Sequence, residues 1–193
     1  MKRHGHKKRM RKWVLLLSAL IIILYVLAVK GIGITHHAAN NDYGWNLLLV
    51  NHENYIPHNY KVELTELSNG EKVDSRIYPD LQNMFDDARA QGYGLIVAAG
   101  YRTTEKQQQL MDEKIDAYKN EGHSSSEAKR LAEQWVAIPG TSEHQMGIAV
   151  DINADKTVNS SDAVYTWLAE NAYKYGFIKR YPSDKTDITG VIN

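Results

Sequence analysis

The sequence predicts an α+β fold in which a small antiparallel sheet is flanked by helices, and three observations carry that expectation. Apolar residues recur at helical spacing in segments between residues 81 and 175, and short runs of strand character at 47–51, 93–102, 148–153 and 176–181 fall among them. Those strands are too few and too irregularly spaced for a doubly wound parallel sheet. With 193 residues, 43% hydrophobic and 24% charged, the chain has ordinary globular make-up and room for one domain. It shows no internal repeat and no low-complexity tract outside its termini.

Taken in order, residues 1–12 (MKRHGHKKRMRK) carry seven Lys or Arg and no acid, and are expected to be a basic cytoplasmic tail. Residues 13–29 follow without a charge. A membrane-crossing helix needs about 17–25 apolar residues, whereas the apolar part of a cleavable signal is about 7–15 long. An uncleaved transmembrane anchor over 13–29 is therefore the first reading. A signal cleaved near the small residues Val26 and Ala28, or a buried core helix, are the alternatives. The basic cluster should stay in the cytoplasm, which sends everything after Lys30 outside. Residues 30–45 read as a linker, and 46–193 as the working domain.

Charge and cysteine content narrow the partners. The formal net charge is zero, but setting aside the seven basic residues of the tail leaves 16 basic against 23 acidic, a balance of −7. Neither nucleic acid nor an anionic membrane surface is an attractive partner for such a domain. An exported chain with no cysteine is held by its core or by a metal, which suits a bacterial cell surface. Composition carries no signal of oligomeric state.

Within the domain, LLLVN (47–51) fits a buried strand. Asp80 is the expected cap of a helix over LQNMFDDARAQG, where Leu81, Met84, Phe85 and Ala88 repeat at helical spacing and Gly92 ends it. YGLIVAAGYR reads as a buried strand entering a loop at Gly100. Thr103 or Thr104 caps the next helix, to about Lys119, and Ser124–Ser126 open another over SSSEAKRLAEQWVA, with Ser126 a possible cap. A helix from about Asp162 to Tyr175 and a last strand GFIKRY complete the order.

The stretch IPGTSEHQMGIAVDI (138–152) carries the chemistry. Side chains alternate along a strand, so Ile148, Val150 and Ile152 share the core face while Ala149, Asp151 and Asn153 share the other. Gly147 lets the chain bend so that His144, in the preceding loop, folds back over Asp151. A histidine nitrogen and a carboxylate oxygen meeting at one point are typical ligands of a borderline metal, zinc above all where no thiol is present. A surface-loop histidine hydrogen-bonded to an aspartate fits the same spacing.

SEHQMGIAVDI resembles the SxHxxGxAxD motif of the VanY-type D-alanyl-D-alanine carboxypeptidases, a family of zinc peptidases. The resemblance extends to VDSRIYPDLQNMFDDARAQG, IVAAGYRTTEKQQQLM, GHSSSEA, PGTSEHQ and NAYKYGFIKRYP, and covers residues 46–190. It implies the hedgehog/DD-peptidase type of α+β fold, with His144 and Asp151 as zinc ligands and Arg102 stabilising charge that develops on the substrate carbonyl. It also implies Gln107 and Ser142 as residues that hold the peptide. Taken alone, Gln107 reads as an exposed helix residue and Ser142 as a turn residue. The implied reaction is zinc-dependent release of the terminal D-alanine from a peptidoglycan stem peptide, in wall metabolism or in glycopeptide resistance. D,D and L,D specificities both fit the motifs.

One departure from the family pattern is expected to matter. In relatives the segment matching DITGVIN continues into a strand with a Glu-Pro-Trp-His pattern that supplies the general base and the third zinc ligand, whereas this sequence stops at Asn193. No histidine follows His144, and Glu143, its neighbour, is not assumed to replace the base. The expectation is a carboxypeptidase by family whose 193-residue form is impaired by truncation. The alternative is an inactive, membrane-tethered module that binds wall peptide.

Overall fold

The computed structural model describes residues 37–38 and 44–180. The basic tail, the apolar run 13–29, most of the linker and residues 181–193 lie outside the described residues. Among those described, no helix is long and apolar enough to cross a membrane.

The described chain is α+β. Strands β1 (His37–Ala38) and β2 (Asn54–Tyr55) pair in parallel; β3 (Leu64–Glu66) and β4 (Lys72–Asp74) form an antiparallel hairpin; β5 (Leu95–Ala99) and β6 (Asp151–Ala154) form a second antiparallel pair. Helices α1 (Tyr78–Ala90), α2 (Thr104–Asn120), α3 (Ser125–Ala132) and α4 (Ser161–Asn171) stand between and beside them. Among the described residues, the expected single sheet is thus three two-stranded ladders.

Helix α1 forms where the apolar spacing requires it. Leu81, Met84 and Ala88 are buried against Val73, Ile77, Val97 and Trp167, with Phe85 packed at the margin. Burying each large aliphatic side chain is worth about 1.5–3 kcal/mol, so this stripe outweighs the chain's modest helix propensity. The helix begins two residues before the expected cap: Ile77 is the N-cap and makes no side-chain cap bond, while Asp80 sits inside the first turn, where its charge favours the helix N-terminus. Gly92, at φ +85°, ends the helix as expected.

The other helices start on hydroxyl caps. Thr103 accepts from Lys106 N, Ser124 from Glu127 N and Ser160 from Ala163 N, each worth about 1 kcal/mol. Ser124, not Ser126, caps α3. The last helix gives way at Ala172 to a 3₁₀ turn, Ala172–Tyr175.

Two expected strands are not formed among the described residues. Residues 47–50 belong to no strand among the described residues, with Leu48 and Val50 buried beside Met146 while Leu47 and Leu49 are 66% and 50% exposed. The apolar run is therefore half-buried by alternation, and the bond that would make it a strand reduces to one bridge between Asn51 and Asn54. Residues 176–180 of GFIKRY pair with no strand among the described residues, and Ile178 is 70% exposed. Strand β5 is half-buried rather than buried, with Ile96 facing out.

The β5–β6 pair positions the site. Leu95 lies opposite Ala154 and Val97 opposite Ile152; a bulge between Val97 and Ala99 then brings Ala99 opposite Asp151. Bulges re-aim the residues beyond them. Ile148, Val150 and Ile152 pack against the core cluster, as the alternation requires, and Asp151 is left on the exposed face.

Candidate functional site

The motif loop folds into a 3₁₀ turn, Glu143–Met146, closed by Gly147 in the left-handed region at φ +73°. A side chain there meets backbone: a Cβ on Gly147 would stand 2.9 Å from Asp74 N, whose N–H already donates to Gly147 O at 2.8 Å. Gly147→Ala is therefore expected to cost at least about 1–2 kcal/mol for the backbone conformation alone, with the clash in addition. A thermal melt of the purified variant checks this, and an unchanged melting temperature would contradict the packing described.

This turn carries His144 over the start of β6. Its Nε2 stands 3.5 Å from Asp151 Oδ1, and its Nδ1 lies 2.8 Å from Gly100 O. A carbonyl only accepts, so Nδ1 carries the hydrogen in the neutral ring and Nε2 presents its lone pair to the carboxylate. Two acceptors facing each other at this distance call for a cation or a proton between them. Atoms each about 2.0–2.2 Å from a tetrahedral zinc lie about 3.4 Å apart, so the donor pair fits zinc. A backbone carbonyl on the far ring nitrogen is also how metal-binding histidines are usually oriented.

Arg102 joins the pair. Its Nη2 donates to Asp151 Oδ2 at 2.8 Å and its backbone N–H to His144 O at 3.0 Å, leaving Asp151 Oδ1 to face the imidazole. When Nε2 carries a proton, the hydrogen bond from His144 first, then the charge of that ring and of Arg102, outweigh partial burial and hold the Asp151 carboxyl below the ordinary carboxylate range. The bond to Asp151 uses one of the five N–H donors of the guanidinium.

Ser142 is buried as the N-cap of the same turn and makes no side-chain cap bond. Gln107 is buried too, at 1% exposure, which corrects its reading as an exposed helix residue. It lies on the inner face of α2 beside Met111, where its Nε2 donates to Ala137 O at 2.7 Å. Its Oε1 is the one buried side-chain polar atom without a partner among the described residues. Thus His144, Asp151 and Arg102 are in mutual contact, Ser142 heads their loop, and Gln107 is bonded to the segment leading into it.

Several residues support this site through contacts that were not read from sequence. Glu143 forms a two-pronged ion pair with Arg180, including a 2.8 Å bond from Nε, so this carboxylate is committed to a guanidinium. Gln145 bridges Gly140 N and Thr104 Oγ1. Asp74, fully buried, takes two hydrogen bonds from the Arg76 side chain and one from its backbone N–H. The Asp-Ser-Arg spacing at 74–76 was the available signal for that pair; the Glu143–Arg180 pair spans 37 residues and had none. Among the described residues, no group of three or more His, Cys, Asp or Glu is placed to hold a metal.

Comparison with known proteins bears on this geometry. The family model described as "VanY: D-alanyl-D-alanine carboxypeptidase" matches residues 70–193. A D-alanyl-D-alanine carboxypeptidase of Enterococcus faecalis is 62% identical over 149 residues, 77% of this chain and 56% of the relative. The chain spans about half the length of the curated relatives it matches. Among solved structures, VanYB in complex with D-alanine-D-alanine superposes with a TM-score of 0.75 at 62% identity, covering 77% of this chain and 82% of the other. A mutant of the vancomycin resistance D,D-pentapeptidase VanY in complex with Zn(II) gives 0.74 at 62% identity, over 77% and 84% of the two chains.

Proposed function

Because this chain belongs to the VanY D-alanyl-D-alanine carboxypeptidase family, we propose that it serves as a zinc-dependent D,D-carboxypeptidase acting on peptidoglycan stem peptides that end in D-alanine. The observation that carries the reading is the approach of His144 Nε2 to Asp151 Oδ1 at 3.5 Å, with the ring's other nitrogen held by Gly100 O. A relative solved with Zn(II) and another solved with D-alanine-D-alanine support it.

In this reading His144 and Asp151 hold the metal, which when bound supplies Lewis-acid polarisation of water and of the scissile carbonyl. Arg102 anchors Asp151 through Oδ2 and offers its remaining donors to charge developing on the substrate carbonyl oxygen, where a fixed guanidinium fork is most effective. Gln107 Oε1, buried beside the segment leading into the motif loop, and Ser142 Oγ, at the head of that loop, hydrogen-bond the peptide. An unpaired buried acceptor costs about 1–3 kcal/mol, so a substrate N–H donated to Gln107 Oε1 would be favoured.

A hydrolytic zinc normally has three protein ligands, and the reaction needs a base. The described residues bring two ligands together, and Glu143 is tied to Arg180. The Glu143–Arg180 pair, which occupies the carboxylate next to His144, favours a second reading, a module that binds D-alanine-terminated wall peptide without cleaving it. The purified protein, incubated with zinc and a pentapeptide ending in D-Ala-D-Ala, separates them. Release of D-alanine supports the enzyme, and peptide binding without release supports the module. Absence of both zinc and peptide binding contradicts both. A tetrapeptide ending in L-Lys-D-Ala in parallel tests L,D specificity.

The basic tail and the uncharged run 13–29 support membrane anchoring with the domain outside a bacterial cell. Protease added to intact spheroplasts is expected to digest the domain, and complete protection would exclude this topology.

A further inference from the structure

We infer that the turn of the β3–β4 hairpin, through Glu71 and Asn69, is a positioning element for His144. The turn runs from Leu67 to Glu71 and is closed by Leu67 N to Glu71 O at 2.7 Å and Gly70 N to Leu67 O at 2.9 Å, with Gly70 at φ +88°. It docks on β5 where the ladder slips. Asn69 Nδ2 donates to Val97 O at 2.8 Å, and Glu71 Oε2 accepts from Gly100 N at 2.8 Å, so side chains of the turn bond both flanks of the bulge between Val97 and Ala99.

The consequence falls on the peptide joining Gly100 to Tyr101. Its N–H donates to Lys72 O at 2.6 Å and its C=O accepts from His144 Nδ1 at 2.8 Å. One amide thus links the hairpin to the imidazole, and a hydrogen bond on its N–H strengthens the acceptor at its C=O. Glu71 fixes the preceding peptide, so Gly100 is held on both sides. Only glycine fits, because a Cβ there would stand 2.2 Å from Lys72 O. The order of dependence is Glu71 to Gly100, Gly100 O to His144 Nδ1, and hence His144 Nε2 toward Asp151 Oδ1. The side-chain hydrogen bonds of Glu71 and Asn69 are with backbone, so their effect on His144 passes through Gly100.

A stabilising role for the hairpin would alter the melting temperature; a positioning role alters the tautomer of one ring. The test uses the full chain, metal-free and labelled with ¹⁵N-histidine, at about pH 8.5. Long-range proton–nitrogen correlation, with the His144 signal assigned by its loss in His144→Gln, reads the tautomer. Wild type is expected to hold hydrogen on Nδ1. Glu71→Ala is expected to populate the Nε2–H form, and Glu71→Gln, which keeps an acceptor oxygen, to restore the wild-type ring. Should Glu71→Ala not fold, Glu71→Asp, one methylene shorter, takes its place.

The zinc arm rests on His144 being a ligand. Zinc affinity in Glu71→Ala is expected to fall about 10–100-fold, the usual loss when the support of a ligand is removed, and to recover in Glu71→Gln. A folded Glu71→Ala or Glu71→Asp protein with the wild-type tautomer would overturn the inference. So would a Glu71→Gln protein whose tautomer is as disturbed as that of Glu71→Ala. Wild-type protein that bound no zinc would instead overturn the metal reading, and the tautomer comparison would still decide this one.

Discussion

Replacing His144 by alanine is expected to lower zinc affinity by more than about 100-fold, with little change in folding. The imidazole is one of two donors brought together at this point, and the loss of a ligand exceeds the about 10–100-fold cost of losing only a ligand's hydrogen-bond partner. Its loop keeps most of its own support: Arg102 N bonds His144 O, Asp74 N bonds Gly147 O and Gln145 spans Gly140 and Thr104, none of them through the imidazole. His52→Ala serves as the control, since His52 is half-exposed beside Glu53. Zinc competition titration of the two variants reads the difference. Equal affinity would remove His144 from the site.

The largest stability effect outside the aliphatic core is expected from Asp74→Ala. Asp74 is fully buried, and its partner Arg76 also donates to Tyr60 Oη at 3.0 Å and stacks 4.1 Å above Trp45. Removing one member of a buried ion pair typically costs about 3–5 kcal/mol. Arg76 is 37% exposed and can recover some hydration, which favours the lower end, about 3 kcal/mol. For a domain of this size that is on the order of 10 °C in melting temperature.

The pH dependence of that effect has a definite sign. Burial pushes the Asp74 pKa up, but the side-chain and backbone hydrogen bonds of Arg76 together with its charge win, and the pKa ends below the ordinary carboxylate range. A carboxyl whose folded pKa is depressed contributes stability that is present above its unfolded value, about 3.9, and is lost as pH falls through the folded value. The gap between wild type and Asp74→Ala should therefore be constant near neutrality and narrow below about pH 4. Denaturant melts across that range measure it, and a gap that widened in acid would contradict the pairing.

The helices were legible because their signals are local. Thr103 caps α2 by its own side chain, and the 81-84-88 stripe fixes which face of α1 is buried. The strands were harder to read, since pairing decides them and pairing is not local. LLLVN has the composition of a buried strand, yet only its alternate residues Leu48 and Val50 find a core. The β3–β4 hairpin went unread although Asn69-Gly70 is a strong turn signal, because the flanking LTE and KVD are polar and short.

Within the site, the convergence of His144 and Asp151 followed from strand alternation and a glycine bend, both readable. The burial of Gln107 did not. Helix α2 is polar nearly throughout, with Gln107 and Met111 its only buried residues, and one glutamine one turn before a methionine is faint evidence of an inner face. Nor did the sequence reveal that Glu71 and Lys72 clamp Gly100, since those contacts cross from one antiparallel pair to the other.

The central claim is that His144 and Asp151 hold one zinc ion. Anomalous diffraction at the zinc edge, from crystals of the protein grown with zinc, tests it most directly. The account predicts a single strong peak about 2.0–2.2 Å from both His144 Nε2 and Asp151 Oδ1, with His144 Nδ1 still on Gly100 O. A zinc peak bonded elsewhere, or none beside a His144–Asp151 pair joined by a direct hydrogen bond, would contradict it.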